Sequence, residues 1–458
     1  MMRTNLDNLQ GKNVLVVGLA RSGIAVCQTL LDMGAYVTVH DAKDENAFDK
    51  NFVTYLKGKN VDCYFGSIPD DMSKYDMIMV SPGVSPELLF IQEGAAKGAE
   101  ITGEIELAYR VSKGNFVAIT GTNGKTTTTT LVGEIFKASG RKTHVVGNIG
   151  TAAIAEAAKA DEQDWLITEV SSFQLETTKY FKPQISAILN LTPDHLNRHH
   201  TMEAYGAAKA KVFANQTESG YLIINYDDKE CYALARDCKA RVVPFSRLEE
   251  LGFGAFVKDG KVVIKDDKGF AEICALEDVK IIGNHNVENI LAAAAISYFA
   301  GIDPSVIGRA ILAFGGVEHR IEYCGEVDGV KYYNDSKGTN VDAAVTAIRA
   351  IREKIILIAG GDGKAQDFEP FVKAFSGAVK KMVLLGRDAK IIADAAEKVG
   401  FTDYVFCRDM PECVRMATEL AERGDTVLLS PACASWDMYD NFEQRGEHFK
   451  ECVEALRR

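Results

Sequence analysis

The residues with the clearest chemical purpose are Thr120-Gly121-Thr122-Asn123-Gly124-Lys125-Thr126-Thr127. They follow an apolar run of strand length, Phe116 to Thr120, and open a Thr-rich stretch that reads as a helix start. Glycines let the backbone curl until its N–H groups face an anion. The N-terminus of the following helix adds a favourable dipole. Lys125 supplies a point charge for the outer phosphates of a nucleotide, and the Thr126 hydroxyl can ligate Mg²⁺. The spacing differs from the general GxxxxGK[ST] loop, because Ile119 stands where the first glycine would be. The plain alternative is a glycine turn before an ordinary helix. The strand and helix on either side make that the weaker reading.

Further along, Glu169 lies just after the run Trp165-Leu166-Ile167, and Asn190 to Asn197, with Asp194 and His195, follows the run Ile185 to Leu189. Ligands of α/β sheets gather at the carboxyl ends of strands. A carboxylate at Glu169 suits Mg²⁺ beside loop phosphates, although it equally suits a helix start. His195 could reach a metal, a water or a phosphate, but a lone histidine is more often structural, and Asp194 could simply cap a helix. Lys209, in Tyr205-Gly206-Ala207-Ala208-Lys209-Ala210-Lys211, reads from its neighbours as a solvated helix lysine. Near the N-terminus, Gly18-Leu19-Ala20-Arg21-Ser22-Gly23 departs from the dinucleotide fingerprint at Ala20, where a second glycine would let a pyrophosphate approach. Asp41 ends the next strand, where an acid could meet a ribose. A tight turn with a satisfied surface acid explains this segment equally well.

These residues need a scaffold of alternating strands and helices. Val14 to Val17, Tyr36 to His40 and Met77 to Val80 are strand-like runs in a first βα stretch. Phe116 to Thr120, Trp165 to Ile167, Ile185 to Leu189 and Tyr221 to Asn225 mark a second, which ends in an Ala- and Leu-rich helix over Asn286 to Phe299. Lys354 to Ala359, Lys381 to Leu385 and Thr426 to Leu429 mark a third. The pattern predicts parallel sheets. A chain of 458 residues suggests two to four domains at about 100–200 residues each. Restarts of the pattern place three of them, at 1–103, 104–316 and 317–458.

Composition narrows the function classes. Hydrophobic residues make up 47% and charged residues 25%, the balance of a globular protein, and the net charge of -12 gives no reason to expect nucleic acid or an anionic membrane. Phosphate binding must then be local. Ten scattered cysteines without a CxxC pair point to reduced thiols and not to zinc. Met1 to Asn13 lacks an apolar signal segment, and no run is long enough to cross a bilayer, so a cytoplasmic location is expected. A monomer is the expected state.

Taken in order, the motifs resemble the Mur ligase family over essentially the whole chain. The shared ATP-dependent core is carried by the glycine–lysine loop, Gly147-Asn148-Ile149-Gly150, Glu169-Val170-Ser171-Ser172-Phe173-Gln174-Leu175-Glu176, Asp194-His195, Gly283 to Asn289, and His319-Arg320. Asn334 to Asn340, Gly360 to Lys364, and Ser430 to Ser435 with Asn441 to Gly446 resemble the branch that adds D-glutamate.

The resemblance implies three α/β domains: an N-terminal Rossmann-like domain, a central P-loop ATPase-type domain with a mostly parallel sheet, and a C-terminal Rossmann-like domain. It implies ATP-dependent, ADP-forming ligation of D-glutamate to UDP-N-acetylmuramoyl-L-alanine through an acyl phosphate. It places Gly121, Thr122, Asn123, Gly124, Lys125, Thr126, Thr127, Asn286, Asn289, Arg320 and Asp335 on ATP. It places Arg21, Ser22, Asp41, Ser81, Asn148, Ser171 and His195 on the nucleotide-sugar substrate, and Lys337, Thr339, Lys364, Ser435 and Phe442 on D-glutamate. Thr126, Glu169, His195 and Lys209 would hold two Mg²⁺ ions, with Lys209 carbamylated. Lys125, His195, Lys209 and Asn148 would carry the catalysis. Thr126 replaces a more usual Ser, and Trp436 follows Ser435 where a smaller apolar residue is common. Rival readings are another amino-acid-adding or folylpolyglutamate-type ligase, an NAD-dependent oxidoreductase, and a non-catalytic P-loop switch.

Overall fold

The computed structural model describes residues 9–363 and 366–457. Lys364 and the first part of the Met1 to Asn13 segment lie outside the described residues. Three sheets carry the chain, and two compact units divide it. One unit runs through Asp278 and takes in Val287–Leu312; the other comprises Val279–Asn286 and Ala313 onward.

The first sheet holds β1 (Asn13–Val17), β2 (Tyr36–Asp41), β3 (Asp62–Phe65), β4 (Met77–Val80) and β5 (Glu100–Gly103), in the order β3-β2-β1-β4-β5, all parallel. The strand order reverses between β1 and β4, so the carboxyl end of β1 opens a crevice there. Val14, Leu15, Val16 and Val17 are all buried, as expected of a strand covered on both faces.

The second sheet holds β6 (Asn115–Thr120), β7 (Thr143–Gly147), β8 (Trp165–Glu169), β9 (Ile185–Ile188), β10 (Tyr221–Asn225), β11 (Arg241–Ser246), β12 (Gly254–Lys258), β13 (Lys261–Asp266) and β14 (Gly269–Ala275). Their order is β14-β13-β12-β11-β10-β9-β6-β8-β7. The pairs from β7 through β12 are parallel; β13 and β14 add an antiparallel edge. In the middle of the sheet β6 is flanked by β8 and β9. The loops that leave these three strands therefore meet at one edge, and they are the loops that begin at Gly121, Val170 and Leu189. Phe116, Val117, Ala118 and Ile119 are fully buried, which fixes the strand that launches the glycine–lysine loop.

The third sheet holds β15 (Glu322–Val327), β16 (Val330–Asn334), β17 (Ile355–Gly360), β18 (Val379–Leu385), β19 (Tyr404–Phe406) and β20 (Thr426–Leu429), in the order β15-β16-β20-β17-β18-β19. All pairs are parallel except the β15–β16 hairpin. Alternate residues of its strands face two separate apolar clusters. Ile355, Leu357 and Leu384 pack in one; Ile356, Ile358 and Val383 pack in the other. All ten cysteines are free thiols. Among the described residues no helix is long and apolar enough to cross a membrane.

Candidate active site

The glycine–lysine loop leaves β6 and enters the helix Lys125–Ala138 through Gly124, which has φ 82°. A side chain at Gly124 would lie 2.2 Å from Asn289 Oδ1, so both conformation and space demand glycine there. Asn289 Oδ1 also accepts the Thr128 hydroxyl, at 3.3 Å. Asn190 shapes the other side of the loop. Its Oδ1 accepts the backbone N–H of Thr122 and of Asn123, at 3.1 and 2.8 Å, and its Nδ2 donates to Asn123 O at 3.1 Å. The Thr122 hydroxyl donates to Thr192 O, at 3.1 Å, and lies 3.3 Å from the Tyr205 hydroxyl.

Two lysines converge on this loop. Lys125 Nζ donates to Gly121 O at 2.9 Å and to Thr122 O at 2.7 Å, and Lys209 Nζ donates to the same Gly121 O at 2.8 Å. Lys209, on the helix Met202–Ala210, is 1% exposed and sits 4.4 Å from the centre of the Tyr205 ring. The solvated placement expected from its neighbours is overturned: Gly206 and Ala208 are small enough to let the helix pack closely and carry the lysine inside. Burial, reinforced by the nearby Lys125 charge, holds its ammonium well below the usual lysine range.

Glu169, at the end of β8, is 1% exposed. Its Oε1 accepts Asn148 Nδ2 at 2.7 Å. Its Oε2 is buried with no hydrogen-bond partner among the described residues. An orphaned carboxylate oxygen behind a phosphate-type loop is the chemistry a hard cation requires. Thr126, in the first turn of the loop helix, supplies a hydroxyl on a half-buried residue. The residues present therefore fit Mg²⁺.

His195 has left-handed backbone, φ 53°, at the start of the short helix Leu196–His199. Its exposed ring stands 4.8 Å from that of Phe173, with Nε2 3.4 Å from Asp194 Oδ2. Its neighbour His199 is buried, with Nε2 3.0 Å from the Ser172 hydroxyl, and burial lowers its pKa. Ser171 forms a capping box with Gln174: Gln174 N donates to Ser171 Oγ at 3.2 Å and Ser171 N donates to Gln174 Oε1 at 3.0 Å.

The residues assigned to the nucleotide sugar build the mouth of the first sheet. Arg21 donates to Gly150 O at 2.7 Å and to Gly147 O at 3.2 Å, which ties the turn after β1 to the loop that carries Asn148. Asp41 accepts Leu19 N at 2.7 Å and Lys43 N at 3.0 Å, and Ser81 Oγ donates to Gly18 O at 2.7 Å. Ser22 and Ser81 line a small cavity whose wall is completed by Glu104. Glu104 is buried and accepts Ile154 N at 2.9 Å; desolvation raises its pKa. Arg198 donates to Pro82 O and Val84 O, at 3.3 and 3.2 Å, and pairs with Glu176.

In the other unit, Asp335 is 4% exposed and accepts the Ser430 hydroxyl at 2.7 Å. Burial pushes its carboxyl up to about 7, against the opposing pull of Ser430 and Arg320. Arg320 Nε is buried with no hydrogen-bond partner among the described residues. Lys337 Nζ lies 5.4 Å from the centre of the Phe442 ring. Thr339 is half-buried, Ser435 is 2% exposed, and Trp436 beside it is 64% exposed. Asn286 donates to Ile282 O at 2.7 Å and belongs to this unit; Asn289 belongs to the first. Among the described residues the one carboxylate–histidine group close enough to hold a cation is Glu318, His319 and Glu447. Lys450 already fills it, 2.8 Å from Glu318 and 2.7 Å from Glu447.

Sequence reasoning did not single out Asn190, Tyr205, Glu104, Ser430 or Arg445. Asn190 was visible as the first polar residue after a buried run. The others follow from packing that brings distant segments together.

Residues 119–297 match the family model of the Mur ligase middle domain, 319–433 that of the Mur ligase glutamate ligase domain, and 12–103 that of the MurD-like N-terminal domain. Similarity to individual proteins runs nearly end to end. The UDP-N-acetylmuramoylalanine–D-glutamate ligase of Alkaliphilus oremlandii is 49% identical, with 98% of this chain and all of that one covered. The enzyme of the same name from Thermoanaerobacter pseudethanolicus is 48% identical over the same shares. Among solved structures, the UDP-N-acetylmuramate-alanine ligase of Thermotoga maritima shares the fold, with a TM-score of 0.60 at 18% identity over 97% of this chain and 99% of that one.

The Asp335 carboxyl yields a pH prediction. Its pKa is higher in the fold than in the unfolded chain, so the fold binds the extra proton. Its stabilising contribution is complete below about pH 4 and is lost as pH rises through about 7. Asp335→Asn removes that loss. Its melting temperature relative to wild type should therefore rise between about pH 4 and pH 7 and level off above that in thermal melts. A constant difference across that range would contradict the assignment.

Proposed function

The chain belongs to the Mur ligase family, and on that premise we propose that it joins the amine of D-glutamate to the free carboxylate of UDP-N-acetylmuramoyl-L-alanine, with ATP converted to ADP and phosphate, in cytoplasmic peptidoglycan precursor synthesis. The observation that carries this is the convergence of Lys125 and Lys209 on Gly121 O in a curled loop, which sets two amine side chains where the phosphates of a nucleotide would lie. The near-full-length likeness to D-glutamate ligases gives the substrates.

The loop residues Gly121 to Thr127 hold the triphosphate, with Asn286 and Asn289 on the adenine side and Arg320 and Asp335 also on the nucleotide. Arg21, Ser22, Asp41, Ser81 and Ser171 hold the nucleotide sugar, and Lys337, Thr339, Lys364, Ser435 and Phe442 hold D-glutamate. The domain division that goes with this reading runs 1–103, 104–316 and 317–458.

In the first step the bond between the γ-phosphorus and the ADP oxygen breaks as one oxygen of the alanyl carboxylate bonds to that phosphorus. Two anions must meet, and Lys125 lowers that barrier by placing a positive charge at the phosphoryl oxygens. Asn148, pinned by Glu169, and His195 orient the carboxylate. In the second step the neutral amine of D-glutamate attacks the acyl carbon, the tetrahedral centre collapses, and phosphate leaves with the former carboxylate oxygen as the amine loses a proton. Thr126, Glu169, His195 and a carbamylated Lys209 would hold two Mg²⁺ ions, whose chemistry would be to neutralise phosphate charge.

Lys209 suits carbamylation because its burial favours the neutral amine, which can add to CO₂ and release a proton. With ¹³C-bicarbonate, the wild-type protein should show a carbamate carbon by NMR that Lys209→Ala lacks, and short carboxylates should restore part of the variant's activity. Identical spectra for the two proteins, or no rescue, would rule the carbamate out.

Phosphate release with UDP-N-acetylmuramoyl-L-alanine and a panel of L- and D-amino acids tests the activity. ADP should form to completion only with D-glutamate. Preference for L-alanine or a diamino acid, or ADP formation indifferent to both partners, would defeat the proposal. In the same assay Lys125→Ala should lower kcat by about 10²–10³-fold or more while leaving nucleotide-sugar affinity nearly intact; normal turnover would contradict the lysine's role.

A further inference from the structure

Arg445, on the helix Phe442–Ala455, is 2% exposed and is the largest fully buried side chain among the described residues. Its Nε donates to Ser336 Oγ at 2.9 Å, and its Nη2 donates to Ser336 O at 2.8 Å and to Cys433 O at 3.1 Å. Ser336 Oγ in turn donates to Phe442 O at 2.8 Å. One guanidinium thus joins the segment just before Lys337, the segment just before Ser435, and, through Ser336, the first residue of the helix. These are three of the segments assigned to the incoming amino acid. A fourth, the turn after β17, also presses on it: a Cβ on Gly361 would lie 3.3 Å from Nη1.

The charge on this group is not matched. Its hydrogen bonds go to two carbonyls and a hydroxyl, Nη1 is buried with no hydrogen-bond partner, and no carboxylate pairs with it among the described residues. Asp335 and Asp437 are the carboxylic acids whose fields reach it, and burial raises Asp335 to about 7, so its charge is only partial at neutral pH. Burial lowers the guanidinium to about 10, which leaves it charged at neutral pH. An unpaired buried cation is costly unless an anion arrives or the geometry it enforces is needed.

We propose that Arg445 is a positioning residue for the amino-acid pocket, holding the Lys337, Ser435 and Phe442 segments in register and giving their enclosure a fixed positive charge that selects an amino acid with a second carboxylate. The inference rests on the pocket assignment made under the proposed function. D-Glutamine, which matches D-glutamate in shape but lacks the side-chain charge, is the discriminating probe.

Steady-state kinetics on the full chain, with D-glutamate and D-glutamine, test it. Arg445→Met should raise KM for D-glutamate by about tenfold or more. KM for ATP and for UDP-N-acetylmuramoyl-L-alanine should stay within about twofold, and the D-glutamate to D-glutamine preference should narrow. Arg445→Lys, which keeps the charge but not the fork, should recover the preference and only part of the affinity. Ser336→Ala, a milder change to the same contact, should raise KM for D-glutamate in the same direction, and it decides the matter if Arg445→Met does not fold. An unchanged KM for D-glutamate, an equal rise for all three substrates, or an unaltered preference would overturn the role of Arg445. If wild-type protein does not use D-glutamate at all, the proposed activity falls and this inference falls with it; unaltered variant kinetics in a protein that does use it overturns the role of Arg445 alone.

Discussion

A single backbone oxygen, that of Gly121, accepts hydrogen bonds from two lysine side chains, Lys125 and Lys209. Two ammonium groups meeting at one carbonyl repel strongly in a site shielded from water, where opposing charges are poorly screened. The fold answers by burying Lys209 so that its neutral form is favoured. The rest of the central unit serves this junction. β6 is locked between β8 and β9, which brings Glu169 and Asn190 beside the loop. Asn190 holds the loop by its N–H groups, and Glu169 keeps one carboxylate oxygen unpaired. Positive charge, a helix N-terminus and an unsatisfied carboxylate together describe a site for a metal-bound polyphosphate.

The same economy governs the surrounding segments. Arg21 and Arg198, the latter also paired with Glu176, tie loops of the first sheet to loops of the second through backbone carbonyls. Arg445 does the same within the other unit. In each case a long cationic side chain holds a loop that bears candidate substrate contacts, and the loop's own polar groups stay available.

Much of this was legible in the amino-acid order. Buried parallel strands are continuous apolar runs, so β1, β4, β6, β10 and β20 appear in the sequence almost residue for residue, and the glycine–lysine loop announces its own chemistry. Edge strands were harder to see. In β12 and β13 the apolar runs are only three residues, Ala255 to Val257 and Val262 to Ile264, and the turn signals of these hairpins, Asp259-Gly260 and Asp328-Gly329, are short. Lys209 shows the limit more sharply. Nothing in its neighbours distinguishes a solvated lysine from one packed under a loop 88 residues earlier in the chain. Only the family resemblance pointed inward. The roles of Glu104 and Arg445 were hidden for the same reason: their partners lie far off in sequence, and hydrogen bonds to backbone leave no mark on residue type.

The most direct measurement is to trap the activated acid. Protein, Mg²⁺, ATP and UDP-N-acetylmuramoyl-L-alanine are mixed without D-glutamate and treated with borohydride, which reduces an acyl phosphate but not a free carboxylate. The account predicts ADP together with an alanyl group whose carboxyl has become an alcohol. ADP accompanied only by intact alanyl carboxylate, or no ADP under any combination of substrates, would contradict it.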